Sequence, residues 1–378
     1  MNKFCSRCAV TESHCDNCSR CKGCQGCNCR RCTNGCNRWF IIANQHSYCE
    51  RCHVCRRCCR CRNSPKYTPD YRLGISEIIT KGGTKGRSVV TGLPRTLGME
   101  LEIGDWKNLS RDGGNNRIPG ISYITTHDWS VKPSEMEMVI SPLRGDAVIR
   151  GMLELSRAGT TAGIVLNESC ALHVHVGGKD LSYFEIRRLL EVYSRLEREI
   201  YSHLIAPHRT QNPSIHYCQM MTGPHVVAGC ERCRRYDQQY PEQRVIPEPL
   251  SSVLSRMWMA TTTEDLKLCL LRMLYGIENP SHIPDVVRTR KGGHYEFCRY
   301  FGLNLHSWMH RLTVEFRMKE ATVDPIELVM WPLWCGWFVH AITRMSDADA
   351  RNPQLSVRSF TDRWMPKYLG EYIGMHKL

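Results

Sequence analysis

The segment "ALHVHVGG", residues 171–178, decides how this sequence is interpreted. It alternates apolar residues with two histidines, His173 and His175, and ends in two glycines. Because successive side chains of a strand point to opposite faces, the pattern predicts a buried strand with both imidazoles on one face. A single strand histidine is usually a core residue, but two at this spacing are candidates for a metal ligand and a phosphate contact.

Two further segments combine strand alternation with paired carboxylates. "GMELEIGDW" places Glu100 and Glu102 on one face, and "HDWSVKPSEMEMVISPLRG" does the same for Glu135 and Glu137, ahead of a turn expected at residues 141–142. Adjacent carboxylates repel one another and are tolerated in solvent or as ligands of a hard cation such as Mg²⁺. For one strand alone, carboxylates at a solvated edge are as good an explanation as a metal site. The same pattern on a second strand favours the metal site.

The last predicted strand, "RLTVEFRMKEATVDP", places Glu315 and Arg317 on one face. A sheet face with glutamates, histidines and an arginine has the composition of a site for metal and nucleotide. Helices are predicted around it. Ser182 forms a capping box with Glu185, in a helix whose Arg and Glu residues are expected to face solvent, and Asp324 caps a helix whose aromatic residues are expected to pack on the sheet.

The N-terminal residues 1–61 form a predicted multi-zinc module, because 16 of the 23 cysteines lie there, mostly in CxxC steps. Two such steps can complete one tetrahedral zinc site, and metal binding would then supply the folding energy of a segment with little apolar content. His14, His46 or His53 could replace a cysteine, and a disulfide framework is the disfavoured alternative. The predicted ligands are Cys5, Cys8, Cys15, Cys18, Cys21, Cys24, Cys29, Cys32, Cys49, Cys52, Cys55 and Cys58.

The charge of this module leaves its partner open. Residues 1–63 carry 12 Lys or Arg and three acids, a net +9, but four zinc sites with four thiolates each would reduce it to about +1. The net charge therefore does not predict a strongly basic surface for binding nucleic acid. Nucleic-acid binding and docking of a protein or substrate remain equal alternatives.

Composition shifts divide the rest of the chain. Residues 62–95 are predicted to be a linker, 96–345 a catalytic domain, and 346–378 a C-terminal extension. The longest apolar run, 329–342, is too short to cross a bilayer, which takes roughly 20 residues, and no apolar signal segment is evident. We therefore expect a soluble, cytoplasmic protein without a membrane partner.

A zinc-stapled insertion is possible within residues 207–258. Cys230 and Cys233 form a CxxC step, and Cys218 and His225 could complete a zinc site. Unpaired buried thiols explain the same residues equally well.

The order of these motifs resembles the amidoligase family, which contains carboxylate-amine ligases with the fold of glutamine synthetase and gamma-glutamylcysteine synthetase. The motifs are GxExE, Glu before Ser-Pro, "LHVHV", "LNL" and "VEFR", and they span roughly residues 96–340. The resemblance implies an α+β catalytic domain with an antiparallel, glutamine synthetase-like sheet and packed helices. It also accounts for the His-x-His strand, since in glutamine synthetases one histidine binds metal and the other meets ATP phosphates.

The resemblance further implies an ATP-dependent ligase, in which ATP phosphorylates a carboxylate substrate and an amine substrate attacks the acyl phosphate. His175 and Arg317 would contact the phosphoryl group, with Glu315 completing the catalytic set. Arg299 and Asn304 would position substrate or nucleotide, and Asp128 is a candidate supporting or amine-binding group. The Ser-Pro pair falls one residue later than in the family form, so Glu135 could replace Glu137. The implied magnesium ligands are Glu100, Glu102, Glu137 (or Glu135), His173 and Glu315.

Two alternatives to a ligase remain: a non-catalytic zinc-binding adaptor and a nucleic-acid-binding protein. The ligase is favoured because every acidic, histidine and arginine position that the resemblance requires is filled. The carboxylate and the amine could each come from an amino acid, a peptide or a protein.

The module is testable by its metal content. Replacing Cys5 and Cys8 with Ser should release about one zinc ion per chain and weaken recruitment, because a tetrahedral site cannot close without two of its thiolates. Metal analysis of the purified protein measures this, with Cys335→Ser outside the module as the control. An unchanged zinc content would refute the predicted module.

Overall fold

The structure is a computed structural model, and it describes six short strands between residues 3 and 55 together with most of the chain after residue 73. The described ranges are 74–82, 92–105, 118–128, 130–131, 136–211, 218–222, 249–275 and 301–377. The chain divides into two compact units, residues 1–68 and 69–378.

The described residues of the first unit form three antiparallel strand pairs. Three of the predicted zinc ligands, Cys29, Cys49 and Cys55, lie on these strands, and the other nine lie outside the described residues. The pairs are β1 (Lys3–Phe4) with β2 (Thr11–Glu12), β3 (Cys29–Arg31) with β4 (Trp39–Ile41), and β5 (Tyr48–Cys49) with β6 (Val54–Cys55).

The second unit is built on a six-stranded antiparallel sheet, so the predicted α+β class with an antiparallel sheet is confirmed. The strand order is β11-β12-β10-β7-β9-β8. The strands are β7 (Thr96–Ile103), β8 (Tyr123–His127), β9 (Met136–Arg144), β10 (Ala171–Gly177), β11 (Leu303–Asn304) and β12 (Thr313–Glu320).

Helices pack against this sheet, and none in the described part of the chain is long and apolar enough to span a membrane. Helix α3 continues into one π-helical turn, Ile200–Leu204. The helices are α1 (Ile75–Gly82), α2 (Asp146–Ala162), α3 (Tyr183–Glu199), α4 (His208–Gln211), α5 (Leu250–Met259), α6 (Thr263–Tyr275), α7 (His306–Arg311), α8 (Pro325–Ile342), α9 (Asp347–Ala350), α10 (Val357–Trp364) and α11 (Lys367–Met375).

Helix α8 covers the apolar face of the sheet, as its aromatic residues predicted. Phe316 on β12 makes edge-to-face contacts with Trp331 and Phe338 at centroid distances of 6.4 and 5.9 Å. Asp324 caps the helix by accepting hydrogen bonds from two backbone N–H groups of its first turn. A Cβ at Gly336 would lie 2.6 Å from Leu93 Cδ2 and 3.0 Å from Leu97 Cδ2 on β7, so this glycine allows a close approach of α8 to the sheet.

Strand β9 differs from expectation at residues 141–142, where a turn was predicted. The strand continues to Arg144, and its pairing with β7 shifts by one residue there: Met99 pairs with Ile140, but Leu97 pairs with Leu143. One extra residue on β9 is therefore accommodated as a bulge, where the missing N–H of Pro142 is tolerated. The turn prediction was wrong because Ser-Pro also suits a bulge.

Three segments are more ordered or more buried than predicted. Residues 75–82, inside the predicted linker, form α1 with Ile78 fully buried. Helices α10 and α11, from the segment set apart as an extension, contribute to the same hydrophobic core as the sheet. The expectation that charged residues of α3 face solvent is wrong for Arg187, Glu191 and Glu197, which are buried.

Glu197 shows why the α3 expectation failed. Its carboxylate accepts hydrogen bonds from the backbone N–H groups of Met221 and Thr222, both at 2.7 Å. These partners lie more than twenty residues away in sequence, so the pattern of the helix alone gives no sign of them.

A buried ion-pair cluster joins β12 to α8 on the helix side of the sheet. Lys319 Nζ lies 2.9 Å from Glu320 Oε1 and 3.0 Å from Glu327 Oε2, and it donates to the Leu204 carbonyl. Burial disfavours the charge on Glu327, but contacts with His376, Lys319 and Tyr372 outweigh it and lower its pKa to about 2. The folded state therefore holds Glu327 ionised.

This cluster makes the second unit sensitive to acid. Because the pKa of Glu327 is about 2 when folded and near 4.5 when unfolded, its stabilisation is complete above about pH 4.5 and is lost as the pH falls toward 2. Glu327→Gln should lower the free energy of unfolding at neutral pH by about 2 to 3 kcal/mol and flatten the acid limb of the stability curve.

Urea denaturation across this pH range measures both effects. The control is Asp362→Asn, which removes a carboxylate from an exposed ion pair and should cost less than about 1 kcal/mol. Equal losses of unfolding free energy in the two variants would contradict the stabilising role of ionised Glu327.

Candidate active site

Seven of the predicted site residues meet on one face of the four central strands. The antiparallel register places three pairs directly opposite one another: Glu100 with His173, Glu102 with Glu137, and His175 with Glu315. Residues that oppose one another across an antiparallel pair share a face, so the register itself assembles the cluster. The seven are Glu100, Glu102, Glu137, His173, His175, Glu315 and Arg317.

His173 lies at the centre of three carboxylates. Its Nδ1 is 3.4 Å from Glu100 Oε2 and 3.9 Å from Glu137 Oε1, and its Nε2 is 3.6 Å from Glu102 Oε1. The residue is 3% exposed. Either ring nitrogen can therefore act together with carboxylate oxygens as a ligand.

His175 faces the other half of the cluster. Its Nε2 is 3.3 Å from Glu100 Oε1 and 3.7 Å from Glu315 Oε1. Gly98 is its cross-strand neighbour on β7, and a Cβ there would already lie 3.6 Å from His175 Cβ. The glycine of the GxExE motif therefore leaves room for the imidazole, which a large side chain would crowd.

Glu315 is held from two sides. Arg317 Nη1 lies 3.1 Å from its Oε1, and Asn304 Nδ2 donates a 2.7 Å hydrogen bond to its Oε2. The Asn304 oxygen in turn accepts from the backbone N–H of His306. Asn304 was predicted to position substrate or nucleotide, and in the structure its side chain orients Glu315.

The remaining carboxylates also have fixed partners. Glu102 accepts a 2.7 Å hydrogen bond from the Ala171 N–H, and Glu137 accepts one from Thr126 Oγ1 at 3.1 Å. Asp128 lies near enough to act electrostatically on Glu102 and Glu137, while its own Oδ1 accepts from the Ser130 backbone and hydroxyl.

The carboxylates titrate differently because their surroundings differ. Burial and the neighbouring Glu100 raise the pKa of Glu137 to about 7. Burial likewise raises the pKa of Glu102. For Glu100 burial is outweighed by the contacts with His173 and His175, which lower its pKa. For Glu315, Arg317 and His175 outweigh burial and lower the pKa.

The histidines show the reciprocal effect. Burial opposes the charged imidazolium in both, but the surrounding carboxylates outweigh it and raise the pKa values of His173 and His175. The carboxylate pairs are thus balanced by nearby cationic nitrogen atoms.

The donor set fits divalent cations. Two groups have ligand atoms within 4.8 Å of one another: Glu100, His173 and Glu315 form one, and Glu102, Glu137 and His173 form the other. Carboxylate oxygens are the ligands that hard cations such as Mg²⁺ prefer. Two buried nitrogens, His175 Nε2 and Arg317 Nε, have no hydrogen-bond partner among the described residues, as expected where an anionic ligand is to be bound.

Several contributors were missed by sequence reasoning. Thr126 contacts Glu137, Ser307 and Thr313 contact His175, and Arg311 Nη1 lies 3.6 Å from Glu100 Oε1. Alternation placed Thr313 on the same face as Glu315, which was a usable signal. Nothing in the local sequence marks Ser307 or Thr126.

Of the four ligands predicted for a zinc site within residues 207–258, the structure describes one, Cys218. Cys218 is buried, with Sγ 3.2 Å from the Arg209 carbonyl oxygen. Its three expected zinc partners lie outside the described residues, as do Glu135 and Arg299. These three partners are His225, Cys230 and Cys233.

Comparison with known proteins identifies the family of this chain. The model of a family described as "Putative amidoligase enzyme" matches residues 98–339, which is 242 of the 378 residues. Searches of curated proteins and of solved structures gave no significant match. All seven cluster residues lie within the matched range.

Charge repulsion in the cluster predicts that Glu137 lowers the stability of the metal-free protein and favours metal binding. The pKa of Glu137 is about 7 when folded and near 4.5 when unfolded, so without metal the protein loses stability as the pH rises through this interval. Glu137→Gln should raise the free energy of unfolding of the metal-free protein by about 2 kcal/mol above pH 7.

Denaturation with a chelator measures the stability of the metal-free protein, and denaturation with Mg²⁺ measures the stabilisation by metal. Mg²⁺ should stabilise the unaltered chain more than the variant, because a ligand that binds only the folded state stabilises it. Glu154→Gln, on the outer side of α2, is the control. A destabilised metal-free Glu137→Gln would contradict the repulsion.

Proposed function

Because the chain belongs to the amidoligase family, we propose that it is an ATP-dependent ligase that joins a carboxylate substrate to an amine substrate. The observation that carries the proposal is the placement of four carboxylates, two histidines and Arg317 on one buried sheet face. Amide-bond formation is the activity that family membership suggests. The dependence on ATP is supported by the carboxylate and histidine ligands, because they suit the divalent cations that accompany nucleotide phosphates.

Magnesium is the metal that we propose for the two carboxylate groups. Glu100, His173 and Glu315 would hold one ion, and Glu102 and Glu137 would hold a second with His173 nearby. When bound, such ions neutralise the negative charge of the nucleotide phosphates. Asn304 supports this arrangement by fixing Glu315, and Thr126 by fixing Glu137.

His175 and Arg317 are the proposed contacts of the transferred phosphoryl group. Both side chains have a buried nitrogen without a hydrogen-bond partner among the described residues, and Arg317 is held in place by Glu315. Cationic donors fixed before the reaction stabilise negative charge that develops on the phosphoryl oxygens. Their fixed positions need no reorganisation when that charge develops.

The proposed reaction has two steps. An oxygen of the substrate carboxylate bonds to the terminal phosphorus of ATP, and the bond to ADP breaks. The amine nitrogen then bonds to the acyl carbon, phosphate leaves with the carbon–oxygen electron pair, and the nitrogen loses a proton. We propose that Asp128, which lies close to Glu102 and Glu137, binds the amine substrate.

The finer features of fold and organisation are part of the same proposal. An antiparallel sheet whose one face carries the site and whose other face packs on helices is what a glutamine synthetase-like catalytic domain requires. The N-terminal cysteines would bind zinc and recruit a protein, a peptide or a nucleic acid.

Nucleotide turnover tests the proposed activity. With Mg²⁺ and ATP, pools of amino acids, polyamines and peptides should include pairs that give amine-dependent release of ADP and phosphate. Arg317→Ala should lower kcat by about 10²- to 10³-fold, since it removes a fixed donor to the phosphoryl group. Arg358→Ala, in an exposed ion pair on α10, is the matched control.

Two results would contradict the proposal. Full turnover in Glu315→Ala would refute the site, and calorimetry that detects no ATP binding by the unaltered chain would refute the ligase. The second result would favour the zinc-binding adaptor.

A further inference from the structure

Two hydroxyl groups surround the inner nitrogen of His175. Nδ1 lies 3.2 Å from Thr313 Oγ1 and 3.3 Å from Ser307 Oγ, and the two hydroxyls are 2.9 Å apart. The outer nitrogen, Nε2, faces Glu100 and Glu315 and is buried without a hydrogen-bond partner in the described part of the chain. The ring is therefore anchored on one side and open to the cluster on the other.

The hydroxyl pair is itself fixed by the fold. Thr313 begins β12 and pairs with Gly177 at the end of β10, two residues beyond His175. Ser307 lies in α7, which is attached to the same end of β10 at Gly178: the Gly178 N–H donates to the Leu312 carbonyl, and Trp308 Nε1 donates to the Gly178 carbonyl. A Cβ at Gly178 would lie 3.3 Å from Trp308 Cδ1, which shows how closely α7 approaches.

A hydroxyl can donate and accept at once, and this property suits the position. Of two hydroxyls in contact, one can donate to the other and still leave a donor or an acceptor for Nδ1. Nδ1 is thus satisfied in any protonation state of the ring, and the ring need not rotate. An imidazole that is not held at one nitrogen can flip and turn a carbon toward its ligand.

We propose that Ser307 and Thr313 are positioning residues that hold His175 with Nε2 directed at the transferred phosphoryl group. This inference rests on the proposed function of the same site. The two residues contact no substrate and act only through the imidazole. Partners of this kind behind a functional histidine typically contribute about 10- to 100-fold to activity.

The contact can be tested without nucleotide or metal. In protein labelled with ¹⁵N-histidine, Ser307→Ala combined with Thr313→Val should shift the Nδ1 resonance of His175, which is identified by its loss in His175→Gln. Thr313→Ser, which keeps the hydroxyl, should restore part of the shift relative to Thr313→Val. Ser156→Ala, an equally buried hydroxyl on α2 that donates to the Val323 carbonyl, should leave the resonance unchanged.

Measurements of ATP turnover then test whether Ser307 and Thr313 position His175 for catalysis. The double variant should lose about 10- to 100-fold in kcat with little change in the KM for ATP, because the ring orientation matters mainly in the transition state. In a His175→Ala background the same two substitutions should cause no further loss, since residues that act through one group are not additive. Ser156→Ala should retain full activity.

The outcomes separate this inference from the proposed function. An unchanged Nδ1 resonance overturns the anchoring whether or not the chain is a ligase, and a shifted resonance with undiminished kcat overturns the positioning role. A full additional loss in the His175→Ala background also overturns it. If the unaltered chain shows no turnover, the proposed function fails while the resonance still decides the anchoring.

Discussion

The gathering of four carboxylates, two buried and two half-buried, on one face of the sheet is the constraint on which the rest of this structure depends. Glu100, Glu102, Glu137 and Glu315 come together because the pairings of three adjacent strand pairs place them opposite one another or opposite a histidine. Among the described residues, histidines and arginines oppose their charges. Charges removed from water attract or repel more strongly than they do in solvent. The site therefore costs stability that other parts of the fold must supply.

The opposite face of the same sheet supplies it. Helix α8 is buried along nearly its whole length, and its Trp331 packs on Phe316, the β12 residue between Glu315 and Arg317. Helices α10 and α11 extend this core, and the contact of Tyr372 with Glu327 connects them to the buried Lys319. An apolar face of this size allows an acidic face that would otherwise separate the strands.

Strand alternation was sufficient to predict which side chains share the site, since a period of two specifies the face of each residue once the strand is recognised. It could not predict the contacts of Ser307, Glu197 or Lys319. The groups that they contact, His175, the Met221 N–H and the Leu204 carbonyl, lie more than twenty residues away in sequence. The bulge in β9 was missed for a related reason. A bulge depends on the pairing of two strands, whereas the proline that marks it belongs to one.

The irregularity in β12 has a consequence for how this strand is compared with others. Val174 pairs with Phe316 but Leu172 pairs with Lys319, so one extra residue interrupts the alternation between Arg317 and Lys319. Two basic residues at a spacing of two thus serve opposite faces, one in the polar cluster and the other in the core. If a relative lacks the extra residue, an alignment without a gap would place a residue of the cluster face at the lysine position, whereas the arginine position would keep its face.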